Sequence, residues 1–265
     1  MDSISTDKIL GSKNGAIGTL TFNYPEKHNA MSPEMAQAAA AVLNDFASDP
    51  AVRVVVLRGA GSKAFVSGGD ISKYEKNRAT PEQIAEYNKM SSGFRDALTN
   101  IAKPTIAMIR GWCLGGGLAI ALRCDMRICS EDAQFSVPAA RLGIGYAAES
   151  LGQLIELCGP SVAKEILFTA RRYTAHEAHR IGLVNHVVQA GVLEAFVQQY
   201  ADTIADNAPL SIIASKHVIN EYVKDPSKRD QALADKAVAD CFASQDYVEG
   251  RRAFMEKRKP VWTGR

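Results

Sequence analysis

The chain has 265 residues, which is enough for one large hydrophobic core. Hydrophobic residues make up 46% of it and charged residues 23%, so the composition excludes a disordered or fibrous protein. The 31 basic and 29 acidic residues give a net charge near +2, which gives no reason to expect a nucleic-acid partner.

Cysteine usage and the N-terminal residues indicate a reducing compartment. The five cysteines are odd in number, scattered and without a C-x-x-C pair, as is typical of free thiols. Residues 1–8 are polar and mixed in charge, unlike a signal peptide. No apolar run approaches the ~18 residues that a membrane span needs. The sequence therefore predicts a cytoplasmic protein with no membrane partner.

Strands and helices are predicted to alternate in the first part of the chain. Two short strands are expected between Asp7 and Phe22, around turn residues 11–15. Ser32 followed by Pro33 is typical of a helix start, with a capping hydroxyl and then proline at the first helical position.

Two valine- and isoleucine-rich runs, 54–57 and 105–109, follow further along the chain. Continuous apolar runs predict strands buried on both faces, hence a parallel sheet with helices over it. Thr80-Pro81 predicts the start of a helix between these two strands. Short strands are expected at 127–129 and 134–136.

The last third of the chain has helical periodicity. One apolar stripe contains Leu193, Phe196, Val197, Tyr200 and Ile204. The sequence therefore predicts an α/β core over residues 1–191 and a helical C-terminal region over residues 192–265.

The most informative motifs are two glycine-rich turns, each after a predicted strand: FVSGGDI at 65–71 and GGG at 115–117. Glycines leave backbone N–H groups accessible, and the second turn also opens a helix, whose dipole favours negative charge. Two such N–H groups converging on one oxygen would form an oxyanion hole, in which one donor is typically worth ~2.7–4 kcal/mol. The local pattern alone equally allows two ordinary turns.

Several other site motifs are absent from the sequence. There is no G-x-x-x-x-G-K-[ST] and no G-x-G-x-x-G with a downstream acid, so a nucleotide-phosphate loop is not expected. G-x-S-x-G is absent as well. A serine peptidase would need Ser67 or Ser150 with a distant histidine, and no spacing supports that set. No metal site and no cofactor are predicted.

At the level of the whole chain, the sequence resembles the crotonase superfamily, the enoyl-CoA hydratase/isomerase family. The resemblance rests on the order and spacing of seven motifs: YPEKHNAM (24–31), KAFVSGGDI (63–71), KPTIA (103–107), GWCLGGG (111–117), AQF (133–135), AHEAHRIGLV (175–184) and FMEKR (254–258).

The resemblance implies a spiral of ββα units with a helical C-terminal extension, assembled as a homotrimer or a dimer of trimers. It implies acyl-CoA thioester substrates, with coenzyme A as part of the substrate. By residue match, the N–H groups of Gly69 and Gly116 would hold the thioester oxygen.

Residues 27–30 and 64–71 would line the coenzyme A, and two C-terminal residues would approach it from this or a neighbouring subunit. The substrate-binding residues that the resemblance predicts are Lys27, His28, Ala30, Ala64, Ser67, Gly68, Asp70, Ile71, Trp112, Leu114, Pro138, Arg141, Phe254 and Lys257. For Asp70, a capping role for a helix starting at Ile71 is also expected. For Arg141, a surface salt bridge is the alternative to clamping a substrate carboxylate.

The sequence departs from the family pattern at the two proton-transfer positions. Hydratases that it resembles use two glutamates around a water molecule, and the matching positions here are Ala119 and Ala139. Neither alanine can transfer a proton, so the sequence predicts poor hydratase activity.

Two other residues, Tyr146 and Glu149, are candidates for the proton transfer. Tyr146 matches a tyrosine of relatives that decarboxylate malonyl-type thioesters, although the histidine those enzymes carry is Gly69 here. Glu149 lies near the carboxylate of certain isomerases and dehalogenases, and an apolar pocket would raise the pKa of such a group. A pocket wall for Tyr146 and a helix N-terminal acid for Glu149 are the structural alternatives.

The leading prediction is therefore an acyl-CoA-processing lyase or isomerase that acts through an enolate. An isomerase or decarboxylase using Glu149 or Tyr146 is one alternative. A non-catalytic acyl-CoA binding protein is the other.

Overall fold

A computed structural model describes residues 7–70 and 79–265, apart from the side chain of Glu149. Most of its elements pack on one large β-sheet. Its strand order is β1-β2-β3-β5-β7-β10. β1 and β2 form an antiparallel hairpin, and every other neighbouring pair is parallel. These strands are β1 (Ile9–Asn14), β2 (Ile17–Phe22), β3 (Val54–Gly59), β5 (Thr105–Ile109), β7 (Met126–Ser130) and β10 (His186–Val188).

A second, smaller sheet has the order β4-β6-β8-β9. Its strands are β4 (Ala64–Val66), β6 (Trp112–Leu114), β8 (Gln134–Ser136) and β9 (Tyr173–Thr174). β4, β6 and β8 each follow shortly after a strand of the large sheet, so the chain alternates between the two sheets as it spirals. This is the α/β arrangement that the sequence predicts.

Helices cover both sheets. The described ones are α1 (Pro33–Ser48), α2 (Pro81–Asn100), α3 (Gly116–Arg123), α4 (Ala148–Thr169), α5 (Ala175–Arg180), α6 (Leu193–Ala205), α7 (Pro209–Tyr222), α8 (Gln231–Ala243) and α9 (Gln245–Met255). The predicted helix starts are confirmed, because the Ser32 hydroxyl accepts a hydrogen bond from Met35 N and Thr80 forms a reciprocal capping box with Gln83.

The predicted turn at residues 11–15 is wrong in its position. β1 continues through Gly11 to Asn14, and the turn begins at Gly15, whose φ is +56°. A Cβ atom on Gly11 would lie 2.9 Å from Val42 Cγ1 of α1. Gly11 therefore allows the helix to pack closely on the strand. Turn propensity alone does not distinguish a glycine of this kind from a glycine in a turn.

The core has one cluster on each face of the large sheet. Phe22, Leu43 and Leu57 belong to the cluster beneath α1 and α2, whereas Val56 and Val197 belong to the cluster beneath α6. The valine-rich strand is thus buried on both faces, as predicted. Burying each such side chain contributes about 1.5–3 kcal/mol.

The C-terminal helices and tail are joined to the body by polar contacts. Arg53 donates hydrogen bonds to the carbonyls of Ala205 and Trp262 at 3.0 and 2.9 Å. Lys216 of α7 reaches an Asp125 carboxylate oxygen at 2.8 Å. The domain boundary at residue 191 stays a prediction. Among the residues described, we find no helix of the length and apolarity that a membrane crossing requires.

Candidate active site

The two glycine-rich turns leave the small sheet side by side. β4 and β6 are parallel neighbours, with Val66 paired to Cys113. The segment after β4 carries Gly68 and Gly69, and the segment after β6 enters α3 at Gly116. Because carboxyl ends of parallel strands lie at one edge of a sheet, the two turns meet there.

Glycine is required where the turns touch. A Cβ atom on Gly117 would lie 2.0 Å from the Val66 carbonyl oxygen, which is far inside van der Waals contact. Gly68 has φ +110°, and a Cβ atom there would lie 3.3 Å from the Leu114 carbonyl oxygen. No side chain can therefore separate the two backbones.

The backbone amides of Gly69 and Gly116 lie in adjoining segments. Met31 N donates to Gly68 O at 2.8 Å and Asp70 N donates to Met31 O at 3.1 Å, so the intervening Gly69 N–H is directed away from Met31. Gly116 is the first residue of α3, where N–H groups have no acceptor within the helix. A Cβ atom on Gly116 would lie 3.7 Å from the Gly69 nitrogen. The Gly69 nitrogen therefore adjoins the first turn of α3.

Both alanines predicted to replace carboxylates lie in the elements that adjoin these turns. Ala119 is half-buried in the first turn of α3, and its N–H donates to Gly115 O at 3.1 Å. Ala139 is 7% exposed and belongs to the one-turn 3₁₀ helix Pro138–Arg141. Neither supplies an ionisable group.

The same 3₁₀ helix brings Tyr146 to the place where the turns 67–70 and 115–117 meet, which we call the glycine corner. Leu142 N and Ile144 N both donate to Ala139 O at 3.0 Å, which turns the chain back toward β6. A Cβ atom on Gly115 would lie 3.9 Å from the Tyr146 hydroxyl. The ring is partly buried against the core. The tyrosine hydroxyl thus lies next to the turn that carries Gly116.

Glu149 is the second residue of α4, and its side chain lies outside the described residues. Glu149 lies three residues after Tyr146, and its role stays a prediction.

The predicted coenzyme A segments also lie together. Ser67 N donates to His28 O at 3.1 Å, and the Ser67 hydroxyl lies 3.5 Å from Lys27 O. Lys27 is exposed, whereas Ala30 and Ala64 are buried. The segment 27–31 therefore runs alongside the segment that carries Gly68 and Gly69.

Trp112 and Leu114 lie on one face of β6, and both are half-buried. The rings of Trp112 and His28 meet edge to face with centroids 4.8 Å apart. The Arg172 guanidinium lies over the Trp112 ring at 5.3 Å, a contact that the sequence did not predict.

The remaining predicted residues are more dispersed. Pro138 packs by the turn, since a Cβ atom on Gly115 would lie 3.8 Å from its Cδ. Arg141 is exposed. Ile71, and with it the helix that Asp70 is predicted to cap, lies outside the described residues.

Phe254 and Lys257 lie at the C-terminal end of α9, and both are exposed. Phe254 borders an apolar groove of about 690 Å³ together with Phe242, Tyr247 and Trp262. That groove is lined by the C-terminal helices and the tail, not by residues of the glycine corner.

Three buried cysteines close to the site are inert thiols. Burial raises the pKa of Cys124 and Cys129 to about 12, and it raises the pKa of Cys113 as well. None of them is therefore a thiolate nucleophile at neutral pH.

Comparison with known proteins decides the family. The family model described as enoyl-CoA hydratase/isomerase matches residues 12–265. The chain belongs to the enoyl-CoA hydratase/isomerase family. This confirms the resemblance seen in the motifs, and it assigns the chain to a family of enzymes.

Proteins related to this chain align with it over nearly their whole length. The short-chain-enoyl-CoA hydratase of Clostridium acetobutylicum is 34% identical over 253 residues, which are 96% of each chain. The carnitinyl-CoA dehydratase of Escherichia coli O157:H7 is 32% identical and covers 96% of this chain and 97% of the relative. A crystal structure of an enoyl-CoA hydratase/carnithine racemase from Magnetospirillum magneticum superposes with a TM-score of 0.92 at 36% identity, covering 98% and 97% of the two chains. The crotonase-type fold is thereby confirmed.

Proposed function

We propose that this protein is an acyl-CoA enzyme that forms an enolate and moves a proton at its α-carbon with Tyr146, and that it hydrates enoyl-CoA poorly. One observation carries the proposal: the Gly69 and Gly116 amides adjoin each other and the Tyr146 hydroxyl adjoins Gly115. The named relatives act on acyl-CoA thioesters, which supports the same substrate class here.

The chemistry divides between backbone and side chain. The two amides stabilise negative charge on the thioester oxygen as the enolate forms. Where the enolate forms by loss of CO₂, the Tyr146 phenol donates its proton to the α-carbon and water reprotonates the phenolate; where it forms by deprotonation, the Tyr146 phenolate takes the α-proton and the phenol so formed returns a proton to carbon. Ala119 and Ala139 leave no carboxylate at the positions where a hydratase would activate water. Isomerisation and decarboxylation both proceed through such an enolate.

The proposal also covers cofactors and subunit assembly. No cofactor or metal takes part in this chemistry, and coenzyme A enters as part of the substrate. Exposed apolar side chains on α8 and α9, Phe242, Phe254 and Met255 among them, support assembly as a homotrimer or a dimer of trimers.

The direct test is exchange of the α-protons of butanoyl-CoA in D₂O, followed by NMR, because it reports enolate formation whichever substrate is natural. We expect exchange by the native protein and a loss of about 10²-fold with Tyr146→Phe, with little change in thioester affinity. Tyr200→Phe is the matched control, because Tyr200 belongs to α6 and packs against the cluster on the other face of the large sheet.

Other outcomes redirect the assignment. If Tyr146→Phe exchanges at the native rate and Glu149→Gln does not, the proton is moved by Glu149. If the folded protein binds thioesters but exchanges nothing, it is a non-catalytic acyl-CoA binding protein.

A further inference from the structure

Asn29 is a fully buried polar residue in an unusual backbone conformation. Its exposure is 0%, and its φ is +57°, directly after His28 at +52°. Two consecutive left-handed residues other than glycine are costly, at about 1–2 kcal/mol each for an ordinary side chain, although asparagine tolerates the conformation best. Such strain persists only where the surrounding contacts enforce it.

The side chain of Asn29 uses all of its close hydrogen-bonding capacity. Its Oδ1 accepts from Tyr24 N at 2.9 Å, and its Nδ2 donates to Ala60 O at 3.0 Å and to Ala64 O at 2.8 Å. A Cβ atom on Gly59 would lie 2.7 Å from that Nδ2, so a glycine makes room for the amide. Asn29 therefore ties the loop 24–31 to the start of β4.

The loop that Asn29 anchors is also hydrogen-bonded to the glycine corner. The segment 28–31 binds the segment 67–70 through three backbone hydrogen bonds: Ser67 N to His28 O at 3.1 Å, Met31 N to Gly68 O at 2.8 Å, and Asp70 N to Met31 O at 3.1 Å. These bonds occupy the groups on either side of Gly69 and leave its N–H directed away from Met31, and the Gly69 nitrogen adjoins Gly116. The direction of that N–H depends on where the loop holds His28 and Met31, and Asn29 lies between them.

We propose that Asn29 is a positioning residue for the Gly69 donor of the oxyanion hole. The inference rests on the proposed enolate function and adds a residue whose fully buried side chain acts through the backbone of its neighbours. Gly116 is held separately by α3, so losing Asn29 misaligns one donor and leaves the other in place.

The test uses Asn29→Asp, which keeps the size, the left-handed backbone and the acceptor for Tyr24 N. It replaces the amide hydrogens with an oxygen facing the carbonyls of Ala60 and Ala64. The readouts are the infrared carbonyl stretch of bound butanoyl-CoA carrying ¹³C at the thioester carbon, and α-proton exchange at saturating thioester. Carbonyl polarisation reports the donors directly, which a general loss of stability does not change.

We expect the native protein to lower the carbonyl frequency on binding and Asn29→Asp to lose about half of that shift. Exchange should fall by about 10²-fold, as for removal of one oxyanion donor. Thr105→Val is the matched control, because Thr105 is also fully buried and exchanges hydrogen bonds with Asp125, away from the corner. It should lose stability but keep both the frequency and the exchange rate.

The outcomes separate the two proposals. A native protein with neither a carbonyl shift nor exchange contradicts the enolate function itself. A native protein with both, and Asn29→Asp with both unchanged, overturns the role of Asn29 and leaves the function intact. If Asn29→Asp does not fold, Asn29→Gly keeps the backbone freedom and is judged by the same two measurements.

Discussion

The two sides of the candidate site are built in different ways. On one side, Gly68, Gly69 and Gly116 offer only backbone, held by strand pairing and by the close approach of Gly117 to the Val66 carbonyl oxygen. On the other side, Ala119 of α3 and the segment 138–147 offer side chains, the latter on a one-turn helix and a loop with exposed residues. Under the proposed function, the backbone side would stabilise negative charge on the thioester oxygen, whereas the side-chain side would decide where the proton goes. On that proposal, the reaction changes by exchange of side chains while the oxyanion hole stays as it is.

The largest effect should come from a side chain forced into the backbone side. Gly117→Ala places a methyl group 2.0 Å from the Val66 carbonyl oxygen, so we expect a stability loss of about 3 kcal/mol or more and loss of α-proton exchange. Gly145→Ala is the control on the other side, because no atom lies within 4 Å of its Cβ position. It should stay within about 0.5 kcal/mol of the native protein in urea unfolding. Equal losses for the two variants would contradict the contrast between the sides.

An intermediate effect should come from restoring a carboxylate on the side-chain side. Ala119→Glu is preferred to the same change at Ala139, because Ala119 is half-buried and Ala139 is 7% exposed. The native protein should hydrate crotonyl-CoA poorly, and Ala119→Glu should raise the rate by about 10²-fold, since one acid–base group typically contributes that much. Ala119→Gln has the same shape and should give no gain. Efficient hydration by the native protein would mean that another group already activates water.

The smallest effect is expected in the surface ion pairs of the C-terminal region. Arg258 and Arg252, with the Val261 N–H, hold the pKa of the Glu249 carboxyl well below its usual range. A carboxyl whose pKa is lower in the folded protein than in the unfolded chain stabilises the fold at pH values above its ordinary pKa of about 4.3. This stabilisation is lost as the pH falls toward the pKa of the group in the folded protein. Glu249→Gln should therefore lower the melting temperature at pH 7, and the difference should shrink below about pH 4.3.

Exposed Glu156 provides the control for this measurement, since Glu156→Gln alters a charge on α4 outside that cluster. Solvent screening keeps the contribution of an exposed pair small. A difference at Glu249 that grows as the pH falls would contradict the sign of the effect.

Much of the fold could be predicted from local patterns. The valine-rich run of β3 and the caps at Ser32 and Thr80 are signals within a few residues, and the structure confirms them. The glycine motifs predicted two turns, and the family resemblance predicted that they meet.

What could not be predicted depends on contacts between distant segments. Gly11 looks like a turn residue until α1 is seen packing on it. Asn29 belongs to the motif at 24–31, but its hydrogen bonds could not be predicted from that motif, because the acceptors Ala60 and Ala64 lie more than thirty positions away. The distance from Tyr146 to Gly115 likewise depends on how the 3₁₀ helix returns the chain to β6.

The bond from Arg53 to the Trp262 carbonyl spans 209 positions of sequence, which has a consequence for synthesis. A ribosome adding about 5–20 residues per second needs about 10–40 s to bring Trp262 out after Arg53. During that interval the guanidinium stays in water while the strand that follows it can already pair with β2. The junction between the body and the tail is therefore among the last contacts that a newly made chain completes.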